Sequence, residues 1–160
     1  MRLEILAVGR LKAGPERELY DRYADRISKA GRQLHLTGPF LTEIIESRSP
    51  DAGNRKQEEA QQLLTRMDKE ASLVVLDERG KDMSSQQFSE LLRSRQEAGN
   101  SSIALAMGGP DGHSDEIKTR ANHVIRFGSM TWPHQLARVM LVEQLYRAVT
   151  ILAGHPYHRE

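Results

Sequence analysis

Three clusters in the last fifty-three residues carry side chains that could do chemistry. They are the turn Gly108-Gly109-Pro110-Asp111-Gly112, the run Thr131-Trp132-Pro133-His134, and the tail His155-Pro156-Tyr157-His158-Arg159-Glu160. Glycines let a backbone approach a ligand closely, and a tail with no apolar stripe has no packing reason to be rich in His, Tyr and Arg. His134 precedes Arg138 by four residues, so on a helix the two share one face. The competing structural reading is a helix cap at His134 and a solvated Arg138. Glu143 and Arg147 have the same spacing and are most simply an intrahelical ion pair. His155 and His158 lack a carboxylate at ligand spacing, so no metal is expected. With no Cys in the chain, disulfides, thiolate catalysis and Cys-based zinc sites are excluded.

These clusters need a frame. Leu3 to Val8 reads as a strand closed by Gly9, and Pro15 opens a helix carrying Leu19, Tyr20, Tyr23 and Ile27 that Gly31 ends. For the second strand both Leu34-His35-Leu36 and Leu41 to Ile45 qualify, with Gly38-Pro39 between them; the later one is favoured. Asn54 and Gln57 resemble a capping box for a helix running to about Glu70, and Ser84 with Gln87 resembles another. Ser72 to Leu76 and Ser102 to Met107 are near-continuous apolar runs, as in parallel strands covered on both faces. Asp77 to Lys81 is expected to be a polar loop, Ser114 to cap a short helix, and His123 to Phe127 to be the last strand. The alternation implies an α/β fold with a mostly parallel sheet flanked by helices, as one domain over residues 1–160.

In such sheets ligands sit at the carboxyl ends of strands, here Leu76-Asp77, Met107-Gly108-Gly109 and Phe127-Gly128-Ser129. The glycine turn is not a Walker loop, since no Gly-Lys-Ser/Thr follows, and it does not match GxGxxG. Asp111 would repel a phosphate, so an uncharged or cationic ligand suits the turn better.

Lys plus Arg number 23 and Asp plus Glu 22, a formal charge of +1 that argues against holding nucleic acid by phosphate contacts alone. No apolar stretch approaches the roughly 20 residues of a membrane span and no signal pattern opens the chain, so a cytoplasmic protein is expected. The last helix, His134 to Ala153, is apolar in almost every direction. A helix apolar all round is buried all round, and one sheet cannot cover both its sides. A second subunit related by two-fold symmetry is therefore expected, a homodimer through this helix.

The segments Ile5-Leu6-Ala7-Val8-Gly9, Leu76-Asp77 with Gly80-Lys81, Gly108 to Gly112, Met130 to Arg138, Glu143 to Ala148 and His155 to Arg159 together carry a resemblance. The whole chain resembles the small SPOUT-class RNA methyltransferases, specifically the family that methylates N3 of a pseudouridine in bacterial large-subunit (23S) ribosomal RNA. That resemblance implies a C-terminal trefoil knot, an exception to the rule against threading. It implies S-adenosylmethionine as methyl donor, held by Leu76, Gly108, Gly109, Phe127, Gly128, Ser129, Met130, Thr131 and Trp132, and a target in the loop of helix 69.

N3 of pseudouridine carries a proton and is a poor nucleophile until that proton leaves. By the same resemblance His134, Arg138, Arg147, Tyr157, His158 and Arg159 would surround the acceptor, Arg stabilising the oxyanion of the ring and His or a water taking the proton. Either His134 or His158 could be the base. The near-neutral charge then reads as a minimal enzyme whose specificity comes from the assembled ribosome rather than from a basic groove, with no DNA and no membrane as partner. Two rivals stand beside it: a non-enzymatic ribosome-binding factor with a vestigial donor pocket, and a methyltransferase acting on a ribose hydroxyl or a tRNA base.

Overall fold

The computed structural model describes residues 1–158. Five strands, β1 (Arg2–Val8), β2 (Thr37–Ile44), β3 (Ser72–Asp82), β4 (Ser102–Met107) and β5 (His123–Arg126), form one sheet in the order β2-β1-β4-β3-β5. Every strand pair is parallel, so all carboxyl ends lie along one edge. Five helices, α1 (Pro15–Ala30), α2 (Ala52–Arg66), α3 (Ser85–Glu97), α4 (Asp115–Arg120) and α5 (His134–Leu152), cover the two faces.

Strand alternation sorts the core. Leu3, Ile5 and Ala7 of β1 pack with Tyr20, Ile27, Phe88, Leu92, Leu141 and Leu145 under α1, α3 and α5, whereas Leu6 and Val8 pack with Ala60, Leu63 and Ile117 under α2 and α4. The α/β architecture with a parallel sheet is the one the sequence pattern implies.

Several elements depart from expectation. The earlier candidate for the second strand, Leu34-His35-Leu36, is instead the end of a 3-10 turn (Gly31–Leu34) and its left-handed cap at His35, while β2 includes Gly38-Pro39, with a register shift against β1 there. Proline is tolerated there because β2 is an edge strand and one side of it needs no ladder donor. The α2 cap is Asp51, whose side chain accepts from the Asn54 amide, so the helix starts three residues early and ends at Arg66 rather than Glu70. The polar stretch Asp77–Lys81 belongs to β3: the strand bulges after Leu76 and pairs a second time with β5, Lys81 facing Ile125 and Asp82 facing Arg126. This return needs Gly80, where an added Cβ would lie 2.4 Å from the Ile125 carbonyl carbon.

The cover of α5 also differs. Helices α1 and α3 pack along it and leave Leu141, Val142, Leu145, Ala148 and Val149 buried within one chain. α1 and α3 thus supply, within one chain, much of the cover that the helix's apolarity calls for. What remains uncovered is a groove of about 820 Å³ lined by Leu19, Met83, Phe88, Val139 and Met140. No described helix is long and apolar enough to cross a membrane.

Candidate active site

Parallel register aligns Leu76 with Met107 on one side and with Ile125 on the other, so the bulge in β3 and the loops leaving β4 and β5 start from a single row. The loops that follow enclose a cavity of about 340 Å³, walled by Leu76, Asp77, Gly108, Gly109, Phe127, Gly128, Met130, Thr131, Trp132 and His134. Of the donor-binding positions expected from the resemblance, all but Ser129 are in this wall; Ser129 is exposed on the same loop.

The glycine turn is shaped by its neighbours. The Gly112 amide donates to Gly109 O at 2.9 Å, Gly112 has a φ of 79°, and a Cβ on Gly108 would meet the Gly112 carbonyl carbon at 2.9 Å. Only a residue without a side chain fits at 108, which leaves bare backbone facing the cavity. Below the turn Glu59 is buried and accepts from the Ser47 amide at 2.9 Å; burial pushes its carboxyl up against that bond. Arg55 holds the turn from outside, donating to both Asp111 oxygens at 2.6 and 3.1 Å and to the Ser49 and Pro50 carbonyls. The Arg55 guanidinium keeps the Asp111 carboxyl below its usual range. Asp111 thus spends its charge on Arg55, and the acidity that the sequence assigned to the turn is carried into the cavity by Asp77, Glu78 and Asp115, beside Lys56, Arg79, Lys118 and Arg126.

The loop after β5 is closed by Trp132, whose indole N–H donates to Phe127 O at 2.8 Å, and Arg126 is drawn away by a two-bond pair to Asp82. The cap of α5 is Pro133 with no side-chain bond, so His134 is free of a capping role and stands exposed in the cavity wall.

Arg138, one turn on, does not reach the cavity. It is 3% exposed, donates to Glu43 at 2.6 Å and to the carbonyls of Val8 and Gly9 at 3.1 Å each, while Glu43 also accepts from the Leu11 amide at 2.7 Å. The shared face with His134 is real, but the helix buries its second turn against the ends of β1 and β2. Its expected place at the acceptor is corrected to a clamp that ties α5 to the sheet edge.

Of the remaining expected residues, Arg147 and Tyr157 form a separate cluster at the other end of α5. Arg147 pairs with Glu143 at 2.7 Å and lies over the Tyr157 ring at 5.2 Å; the Tyr157 hydroxyl donates to Glu143 at 3.2 Å and meets the Tyr23 hydroxyl at 3.3 Å. Burial and the Tyr23 bond push the Tyr157 phenol up, so it stays protonated at neutral pH. His158 is half-buried next to it, and Arg159 lies outside the described residues. At about 1.5 Å per helical residue, Arg147 is roughly 20 Å from His134, so one chain does not bring the two groups together. Among the described residues no three His, Asp or Glu side chains gather at metal-ligand distance.

Sequence reasoning missed His113, a wall residue that is 5% exposed. Burial pushes its imidazole down to about 4 despite Asp77 and the carbonyls of Ala106 and Leu76 nearby. Its place between Gly112 and the Ser114 cap was the available signal, since a turn reversing at Gly112 returns the next side chain under Gly108.

The family model for predicted SPOUT methyltransferases matches residues 1–158. A protein of Brucella anthropi named ribosomal RNA large subunit methyltransferase H is 52% identical over 159 residues, 99% of each chain. A protein of the same name from a Chelativorans species is 51% identical over 160 residues, covering 100% of this chain and 92% of that one. The crystal structure of a probable methyltransferase from Bordetella pertussis has the same fold, with a TM-score of 0.51 at 15% identity over 92% of this chain and 96% of that one.

Proposed function

From the premise that this chain belongs to the SPOUT methyltransferase family, we propose that it methylates N3 of a pseudouridine in the helix 69 loop of 23S ribosomal RNA, using S-adenosylmethionine, on the assembled ribosome in the cytoplasm. The observation that carries the reading is the convergence of three strand-end loops on one cavity. Its 340 Å³ falls at the small end of the range for ligand pockets, and the bare backbone at Gly108 suits close approach of a flat ring. Mixed charge in the wall, which includes both Asp77 and Lys118, suits a ligand carrying both signs. The names of the relatives at about half identity support the ribosomal substrate.

Leu76, Gly108, Gly109 and the loop Phe127 to Trp132 would hold the donor. When bound, S-adenosylmethionine supplies a methyl group activated on a sulfonium. The chain's own task is to align the acceptor and handle the N3 proton. His134 is the exposed imidazole at the cavity and takes that proton at a ring nitrogen, directly or through a water. Arg147, Tyr157, His158 and Arg159, the cationic and hydrogen-bonding set, would reach the same cavity from a second copy, a reading that the roughly 20 Å between Arg147 and His134 along one helix supports. The apolar groove between α1, α3 and α5 is the surface over which the two copies would meet, Leu136 being 44% exposed beside it. The trefoil threading implied by the resemblance is part of this proposal.

Mass spectrometry of ribosomal RNA nucleosides from a deletion strain tests it. Loss of N3-methylpseudouridine alone is expected. An unchanged nucleoside profile favours the binding-factor rival, and loss of a ribose or tRNA methyl favours another acceptor.

A further inference from the structure

His113 is the buried group whose wiring the fold leaves incomplete. Its ring packs beneath Gly108, with Cδ2 3.2 Å from where a Cβ would project. The neighbouring Nε2 is sealed from solvent and has no hydrogen-bond partner. The carbonyls of Ala106 and Leu76 lie near the ring, yet Nε2 is paired with neither, and a leucine of similar volume would fill the same space without stranding that atom. The ring is nonetheless part of the cavity wall, between Asp77 at the end of β3 and Lys118 on α4.

We propose that His113 is a specificity-determining residue of the methyl-donor cavity, hydrogen-bonding the nucleoside portion of the ligand once ligand entry draws the covering Gly108–Gly112 turn off the ring nitrogen that the protein leaves unpaired. This rests on the donor reading above. The nucleoside is the portion chosen because Lys56, Lys118 and Arg79 already offer partners to a carboxylate and Asp77 to an ammonium. The imidazole sits instead under backbone free of side chains, where a purine ring has room. An imidazole kept neutral can donate or accept toward a purine edge or ribose hydroxyl, and it adds no positive charge beside a sulfonium.

Nitrogen-15 NMR of histidine-labelled wild-type protein at neutral pH, titrated with S-adenosylhomocysteine, reads the ring directly. Movement of the His113 ring nitrogens by several ppm on saturation is expected. In calorimetry, His113→Leu should weaken both S-adenosylhomocysteine and adenosine about tenfold while keeping the wild-type fold, and His113→Gln should recover part of that loss. Ring resonances that stay put while the wild-type binds, or a leucine variant within twofold of wild-type affinity, overturn the assignment and leave the donor cavity standing. If the leucine variant fails to fold, the wild-type spectrum decides alone. A wild-type protein that binds neither ligand overturns this assignment together with the donor reading.

Discussion

Replacing Arg138 with Met separates a clamp from a catalytic group. The side chain makes three charge-assisted bonds, one to Glu43 and two to the carbonyls of Val8 and Gly9 at the end of β1, and none toward the cavity. Removing it leaves Glu43, whose side chain is 19% exposed, without its cation, and leaves the Val8 and Gly9 carbonyls without that donor. Breaking one partner of a buried pair costs about 3–5 kcal/mol. For a domain of this size each kcal/mol moves the melting temperature by about 2–4 °C, so a fall of roughly 6–20 °C is expected. Arg138→Lys keeps the charge and loses the fork, and should fall between. Adding Glu43→Gln to the Met variant removes the stranded charge while an amide oxygen still serves the Leu11 amide, and should restore part of the loss. Thermal unfolding followed by fluorescence of the single tryptophan, alongside turnover on ribosomes at saturation below the melting range, provides both readings. A Met variant that melts within about 2 °C of wild type and has lost turnover a hundredfold would refute the reasoning and return Arg138 to the chemistry.

Gly108→Ala drives a Cβ to 2.9 Å from the Gly112 carbonyl carbon, so the turn must shift and donor affinity should fall at least tenfold by calorimetry. Arg55→Met frees the exposed Asp111 and should change unfolding free energy little while weakening donor binding several-fold, because the turn loses its outer tether. For His113 the folded pKa is depressed to about 4 against an ordinary value of 6.5. Its contribution to stability is thus present above about pH 6.5 and is lost as pH falls toward 4, by about 3 kcal/mol in full. Denaturant unfolding from pH 7 to 4.5 should show this slope in wild type and a flatter one in His113→Leu, with His123 titrating in both.

What the chain displayed locally was readable, and what depended on distant partners was not. The buried strands β1 and β4, the Ser84–Gln87 capping box and the Ser114 cap are written in runs of a few residues, and the structure has them where the pattern put them. Asp77–Lys81 looked like a loop because its polarity was weighed without β5, whose backbone gives it a second ladder. Helical spacing placed His134 and Arg138 on one face correctly, yet spacing carries no depth, and depth is what separates an exposed imidazole from a guanidinium sealed against β1. The all-round apolarity of α5 calls for cover on every side, but one helix's own residues do not reveal that α1 and α3 supply part of it. His113 escaped notice for a similar reason, since only the reversal at Gly112 turns it inward.

The central claim is that the loops leaving Leu76, Met107 and Phe127 form the methyl-donor pocket. A crystal structure of the protein with S-adenosylhomocysteine tests it most directly. The account predicts the nucleoside against the backbone of Leu76, Gly108 and the Phe127–Trp132 loop, with its sulfur opening toward His134. A ligand seated elsewhere, or the same cavity closed over by side chains in the complex, would contradict it.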